Sequence, residues 1–396
     1  MHRVNNDRPS RLRPQVILLG VAALLNDISS DMIYPLLPIF MTTYVGASPL
    51  ILGLVEGIAE GVSSILKMIV GQLSDRYPRR KPFIVGGYFV AAMARVLVAS
   101  AVRWPTVLAG RLLDKTGKGL RSAPRDAMIC DVTPLESRGR AFGFHRALDH
   151  TGAVLGPLLA FALLTGLGMS LRNIFFLAVI PGLAAALLLL FTLREPKRPA
   201  ANTRDITVVS KRLPRPFWIA MSSIGLFSLA NSSDVFLILQ AHRAGVAVAM
   251  IPLVWAAHHL VKALLSTHGG ALSDRWNRKT VLMLGWILYG VVYLLFPLPR
   301  TVGGFLLLFL LYAVPFALSE GAEKAWAADL VSAEQRGRAF GVFYLITGLL
   351  TLTGTALFGW LYQVAGAKPA FYTGATLAFV AAGTLLVQQE KARRES

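Results

Sequence analysis

The chain has 396 residues, 55% hydrophobic and 15% charged, with a formal net charge of +19. A soluble domain would carry about a quarter charged residues, and here apolar runs of roughly 20 residues, long enough to cross a bilayer, recur along the whole length. Composition therefore excludes an ordinary soluble domain, and the single cysteine, Cys130, excludes an intramolecular disulfide and a thiolate metal cage.

The apolar runs place twelve helices at about 15–42, 49–73, 82–102, 105–131, 139–165, 171–193, 215–241, 246–272, 279–298, 303–329, 338–364 and 369–388. Ahead of the first, the basic stretch Met1 to Pro14 leads into a run too long and too polar for the h-region of a cleavable signal peptide. Connections are short except the central one, Arg194 to Pro214, which is polar and basic. It reads as a linker, 194–214, between an N-terminal half, 1–193, and a C-terminal half, 215–396.

The basic residues are distributed unevenly. The N-terminal arm, the linker, the tail and the loops with Arg76, Arg79, Arg80, Lys81, Arg138, Arg140, Arg275, Arg278, Lys279, Arg336 and Arg338 all fall on one side. The opposite side holds only Arg103, Arg172, Arg243, Arg300 and Lys368. Cytoplasmic loops carry the excess of Lys and Arg. Both termini are therefore expected in the cytoplasm, on a cell (inner) membrane, and the positive charge reflects topology instead of nucleic-acid binding.

Helices 2 and 3 are joined by Gly71-Gln72-Leu73-Ser74-Asp75-Arg76-Tyr77-Pro78-Arg79-Arg80-Lys81, and the pattern returns as Gly270-Ala271-Leu272-Ser273-Asp274-Arg275-Trp276-Asn277-Arg278-Lys279, 199 positions later. Ser29-Ser30-Asp31 matches Ser232-Ser233-Asp234, Glu136 to Gly143 matches Glu334 to Gly341, and Asp131 matches Asp329. Parallel repeats of this kind are expected of transporters whose halves are related about the membrane normal, with the site at their interface.

The repeated loop resembles the signature between the second and third helices of the major facilitator superfamily, G-x-x-x-D-R-x-G-R-R/K, with Pro78 and Asn277 in place of its second glycine. The resemblance implies an all-α membrane protein of twelve transmembrane helices in two six-helix, pseudo-symmetric halves, with one central pathway. In the loops, Gly71, Asp75, Arg76 and Arg79, and in the second copy Gly270, Asp274, Arg275 and Arg278, are expected to form a conformational latch. A charge-assisted pair there holds the halves in one state and releases them in the other; the alternative is a topological anchor. Helix 5 carries Gly143, Gly152, Gly156 and Pro157 at the spacing G-x8-G-x3-G-P. That is similar to the motif of the superfamily's antiporters, departing at Ala160 and Phe161, and it is absent from helix 11. It favours export over import.

Ionisable residues inside the predicted helices are costly unless they face a bundle interior or a wet cavity. Asp27 and Asp31 lie one turn apart in helix 1, as do Glu56 and Glu60 in helix 2. Two close carboxylates do not both ionise easily, which suits a proton carrier; Asp31 is the first choice, with Asp27, Glu56, Glu60 and Asp149 behind it. Arg111, Asp114, Lys115, Lys118, Ser122 and Arg125 share one face of helix 4. That ladder either attracts an anionic substrate or holds the fixed partners of Asp27 and Asp31, or else it is neutralised by Glu56, Glu60 and Asp149. Arg111, Lys115 and Lys118, with Arg146, Asp234, His259 and Lys262, are the candidate substrate-binding residues. The His-acid groups around His145, His150, His258 and His259 read as proton relays in preference to metal ligands. Arg125, Asp126, Glu323 and Lys324, near helix ends, are candidates for snorkelling.

No phosphate-binding loop, zinc-hydrolase motif or serine elbow stands in a suitable context. The sequence reading is therefore a secondary transporter, not an enzyme, with no cofactor or bound metal, working as a monomer in the lipid bilayer. It resembles the proton-coupled efflux members, which exchange protons for a small organic compound, here with an anion as a candidate. A proton-coupled importer of an organic anion or metabolite is the alternative, and a non-transporting sensor or scaffold a third reading.

Overall fold

A computed structural model describes residues 12–34, 36–37, 40–47, 49–77, 79–196, 212–231, 237, 251–298 and 301–395. Asp234, the side chain of Glu56 and most of the linker lie outside the described residues. The described residues form twelve helices and no strand: α1 Pro14–Asp31, α2 Pro49–Arg76, α3 Lys81–Ala99, α4 Trp104–Val132, α5 Arg138–Gly166, α6 Leu171–Leu177 continued by Val179–Thr192, α7 Arg215–Ala230, α8 Ile251–Arg275, α9 Arg278–Leu295, α10 Val302–Leu311 continued by Ala313–Asp329, α11 Arg336–Ala365 and α12 Ala367–Glu395. Seven of these stretches are, by length and composition, apolar enough to cross a membrane. α4 is not among them, because its charges interrupt every long apolar window.

α1 ends at Asp31, well short of the sequence boundary near residue 42. Pro35 and Pro38 each remove a backbone donor and disfavour helical geometry at the residue before them. Asp31 thus stands at the helix end and not inside a continuous run. α6 and α10 break in the same way, at Ala178 and Tyr312, each three residues before a proline, Pro181 and Pro315. A proline cannot donate to the preceding turn and crowds its carbonyl, so both helices bend there. The Ala178 carbonyl at the break accepts the Ser29 hydroxyl of α1.

Within the first six helices α1 packs on α5 and α6, and α4 on α2 and α3; α7, α9, α11 and α12 pack similarly in the second six. The C-terminal interior is aromatic, with Tyr289 stacked on Tyr293 at 4.3 Å between ring centroids and Phe227 on Trp286 at 4.8 Å. The two sets of six meet where α5 packs on α8 and α2 packs on α11. Small residues make that seam close. A Cβ on Gly71 would strike the Gly337 carbonyl, and one on Gly270 would strike the Gly139 carbonyl, so only glycine allows these backbones to touch.

Candidate functional site

Three polar layers occupy the seam and the interior. The first is at the end of the bundle that bears the repeated basic loops. The first backbone N–H groups of a helix have no partner within it and carry the positive end of its dipole, so a carboxylate there is favoured. Asp75, in the last turn of α2, accepts Gly337 N–H at 2.8 Å and Arg338 N–H at 2.6 Å, at the start of α11. Asp274, in the last turn of α8, accepts Gly139 N–H at 2.8 Å and Arg140 N–H at 2.7 Å, at the start of α5. Each set of six helices thus caps a helix of the other.

Arginines surround both caps. Arg80 Nη2 lies 3.1 Å from Asp75 and its Nε 3.5 Å from Asp131, which also pairs with Arg336 at 2.9 Å. Arg278 donates to Asp274 at 2.9 Å and to Asp329 at 2.5 Å, and Asp329 pairs with Arg138 at 2.7 Å. The sequence points to Arg76 and Arg79 in the first loop, but both are exposed while Arg80 is fully buried. In the second loop Arg278 takes part and Arg275 is exposed. The positions differ because the first loop is longer: α3 starts at Lys81, five residues after α2 ends, whereas α9 starts three residues after α8 ends. The extra length is held by Glu195, just past α6, whose carboxylate accepts Arg80 N–H at 2.7 Å and Lys81 N–H at 2.9 Å. The repeat pairs Asp131 with Asp329 without joining them to these loops, and nothing in it signalled Glu195.

The second layer crosses the seam deeper in the bundle. Arg146 of α5 donates to Glu320 of α10 at 2.5 Å and to its own neighbour Asp149 at 3.0 Å. His150 places Nε2 3.1 Å from Glu320 and Nδ1 3.2 Å from His259 Nδ1 on α8. His145 Nδ1 is 3.4 Å from Asp149. Beside this group Lys262 stands 3.9 Å over the Phe316 ring, and Trp286 donates to Glu323 at 3.2 Å. Asp126 of α4 is fully buried, 2.8 Å from Lys324 of α10 and 3.0 Å from Arg125, and accepts the Tyr344 hydroxyl of α11. Arg125, Asp126, Glu323 and Lys324 are therefore paired inside the bundle instead of snorkelling, because α10 and α11 lie across their path. Arg146, Asp149, His259 and Lys262, assigned from sequence to proton coupling or substrate binding, lie together here, and the sequence gave no reason to join them to Glu320.

The third layer lies among α1 to α5. Asn26 Nδ2 donates to Asp27 at 2.9 Å and its carbonyl oxygen accepts Arg95 at 2.9 Å. The Asp31 carboxylate makes no hydrogen bond or ion pair among the described residues. Gly152 and Gly156 of α5 face Asp27 and Asp31, where an added Cβ would come within 2.8 and 3.0 Å of the two Asp Cβ atoms. Gly143, at the start of the same motif, lies instead against the Ser266 carbonyl of α8. Of the α4 ladder, Arg111 is 3.2 Å from Asp114 in its own helix. Lys115 pairs with Glu60, which also lies 3.9 Å from Lys67. Asp149 lies 3.0 Å from Arg146 and 3.4 Å from His145, on its own helix. Among the described residues, no three His, Cys, Asp or Glu side chains converge to hold a metal ion.

The model of the Major Facilitator Superfamily matches residues 19–257 and 235–396. The chain is 35% identical over 389 residues to an uncharacterized MFS-type transporter of Methanocaldococcus jannaschii, covering 97% of this chain and 96% of that one. It is 24% identical to the class H tetracycline resistance protein of Pasteurella multocida over 89% of its own length and 90% of the relative's. The crystal structure of the human organic anion transporter MFSD10 (TETRAN) superposes with a TM-score of 0.77 at 18% identity, over 94% of this chain and 100% of that chain. With twelve helices, reciprocal caps between two sets of six and a charged interior, the chain belongs to the major facilitator superfamily and is a multi-pass membrane transporter of small molecules, not an enzyme.

Proposed function

We propose that this transporter exports a small organic anion in exchange for protons by alternating access. The halves 1–193 and 215–396 rock about the linker 194–214, with the basic loops and both termini in the cytoplasm. The observation that carries the reading is the pairing of two reciprocal caps, Asp75 on α11 and Asp274 on α5, with ionisable groups that cross the seam above them. Such contacts belong to one state only, closed at the loop end, and must break for the other state to form. Asp31, unpaired and packed against the α5 glycines, is the coupling carboxylate, with Asp27 one turn away. The likeness to a tetracycline resistance protein supports export.

Flux in proteoliposomes under an imposed pH gradient tests this. Export of an organic anion that follows the gradient and stops on its collapse is the expected result. Uptake driven by the same gradient would favour the importer, for which the basic face of α4 is the supporting observation. Flux indifferent to the gradient would overturn proton coupling.

A further inference from the structure

The carboxylate of Glu60 is held by two lysines and yet half open to the interior. Its side chain is 51% exposed, whereas Lys67 and Lys115, which flank it, are 9% and 12% exposed. The opening is not towards lipid. Among the described residues, the exposed large apolar residues of α2 are Ile58, Ile65, Ile69 and Leu73. At about 100° per residue Glu60 points away from that stripe, while Lys67, seven residues on, shares its face. On α4, Lys118 is the one exposed residue between Gly110 and Cys130. Its ammonium makes no hydrogen bond or ion pair among the described residues. Arg111 is turned towards Asp114. Among the described residues, three ammonium groups thus act on the accessible carboxylate of Glu60, with Asp27 and Asp31 also within electrostatic reach of Lys118; a cluster of cations inside a membrane protein is costly unless anions balance it.

We propose that Glu60 is a tethered stand-in for substrate. In the empty transporter it fills a socket made by Lys67, Lys115 and Lys118, and the substrate that displaces it is a small aliphatic di- or tricarboxylate. One substrate carboxylate replaces that of Glu60 between Lys67 and Lys115, and a second engages Lys118, one turn along the same face of α4. Lysines suit this exchange because an ammonium on a flexible stem offers rotatable donors with no fixed fork to match. Lys67 also stands 5.2 Å over the ring of Tyr344, on α11 across the seam. A substrate that draws Lys67 away from that ring alters a contact between the halves, so occupancy is felt at the interface. The proposal rests on the organic-anion reading above and gives the anion its class.

The test uses the full-length purified protein in nanodiscs at one pH, with no gradient, and titrates acetate, succinate, propane-1,2,3-tricarboxylate and tetraethylammonium by calorimetry and thermal melting. An internal competitor lowers apparent affinity in proportion to its occupancy. Glu60→Gln is therefore expected to tighten succinate binding about tenfold, and Glu60→Asp, with a shorter reach, to tighten it less. Adding Lys118→Gln to Glu60→Gln should return succinate to the affinity of acetate. Unchanged or weaker succinate binding in both Glu60 variants would make Glu60 a fixed counter-ion and end the proposal, as would equal affinities for acetate and succinate in Glu60→Gln. Because binding is read without a gradient, proton coupling can fail in the flux assay while the socket stands, and the reverse.

Discussion

The Asp75 carboxylate accepts the Gly337 backbone N–H at 2.8 Å, although the two residues are 262 positions apart in the chain. The equivalent pair, Asp274 and Gly139, has the same length, 2.8 Å, with donor and acceptor contributed by the opposite halves. Asparagine at either site keeps the shape but turns one acceptor oxygen into a donor facing an N–H. A hydrogen bond to a charged group contributes about 1.5–3 kcal/mol, so Asp75→Asn is expected to shift the balance away from the loop-closed state about ten- to hundredfold. Initial transport rates should fall while expression and insertion stay normal, and Asp274→Asn should act in the same direction. If both variants transport at wild-type rates, the loops are topological anchors and no latch.

Gly71 and Gly270 test the same seam by shape instead of charge. An added methyl meets backbone carbonyl oxygens, which no rotamer change can move aside. Gly71→Ala and Gly270→Ala are expected to hold the loop end open. Hydrogen exchange at the first turns of α11 and α5 should then accelerate relative to the wild-type protein. Unaltered protection in both variants would mean that the helices slide past the methyl and that close approach is not required.

Arg146 and Glu320 are a charge pair in the seam, joined to His150 and Asp149. Removing one partner of a fully buried pair strands the other at a cost of about 3–5 kcal/mol, and this pair is part-buried, so its cost falls below that. Glu320→Gln is expected to lower the melting temperature and to slow exchange between states, because Arg146 retains only Asp149. A double substitution, Arg146→Gln with Glu320→Gln, should recover part of the stability. A double variant whose loss equals the sum of the losses in Arg146→Gln and Glu320→Gln would show the pair to be uncoupled.

Asp31→Asn cannot titrate and keeps nearly the same volume. It is expected to abolish accumulation driven by a pH gradient while substrate binding, measured by calorimetry, is retained. Accumulation at wild-type pH dependence in a binding-competent Asp31→Asn protein would move the assignment to Asp27, which shares the α1 face and the contact with α5.

The sequence by itself determined the helices, the two-fold repeat and the acids at the ends of α2 and α8, because apolar run length and a motif copied 199 positions later are local properties of the chain. It also placed the basic residues of α4 on one face, since helical spacing is enough for that. Only the tertiary structure decided partners. Arg80, not Arg76 or Arg79, reaches Asp75 because Glu195 fixes the start of α3. Asp126 meets Lys324 and Tyr344, and Arg146 meets Glu320, because α10 and α11 cross the seam there. The break of α1 at Asp31 likewise followed from prolines that a hydropathy run passes over. Spacing along one helix fixes which residues share a face; which helix faces it is set by packing between backbones that glycines allow to touch, and that depends on contacts a single strand of sequence does not encode locally.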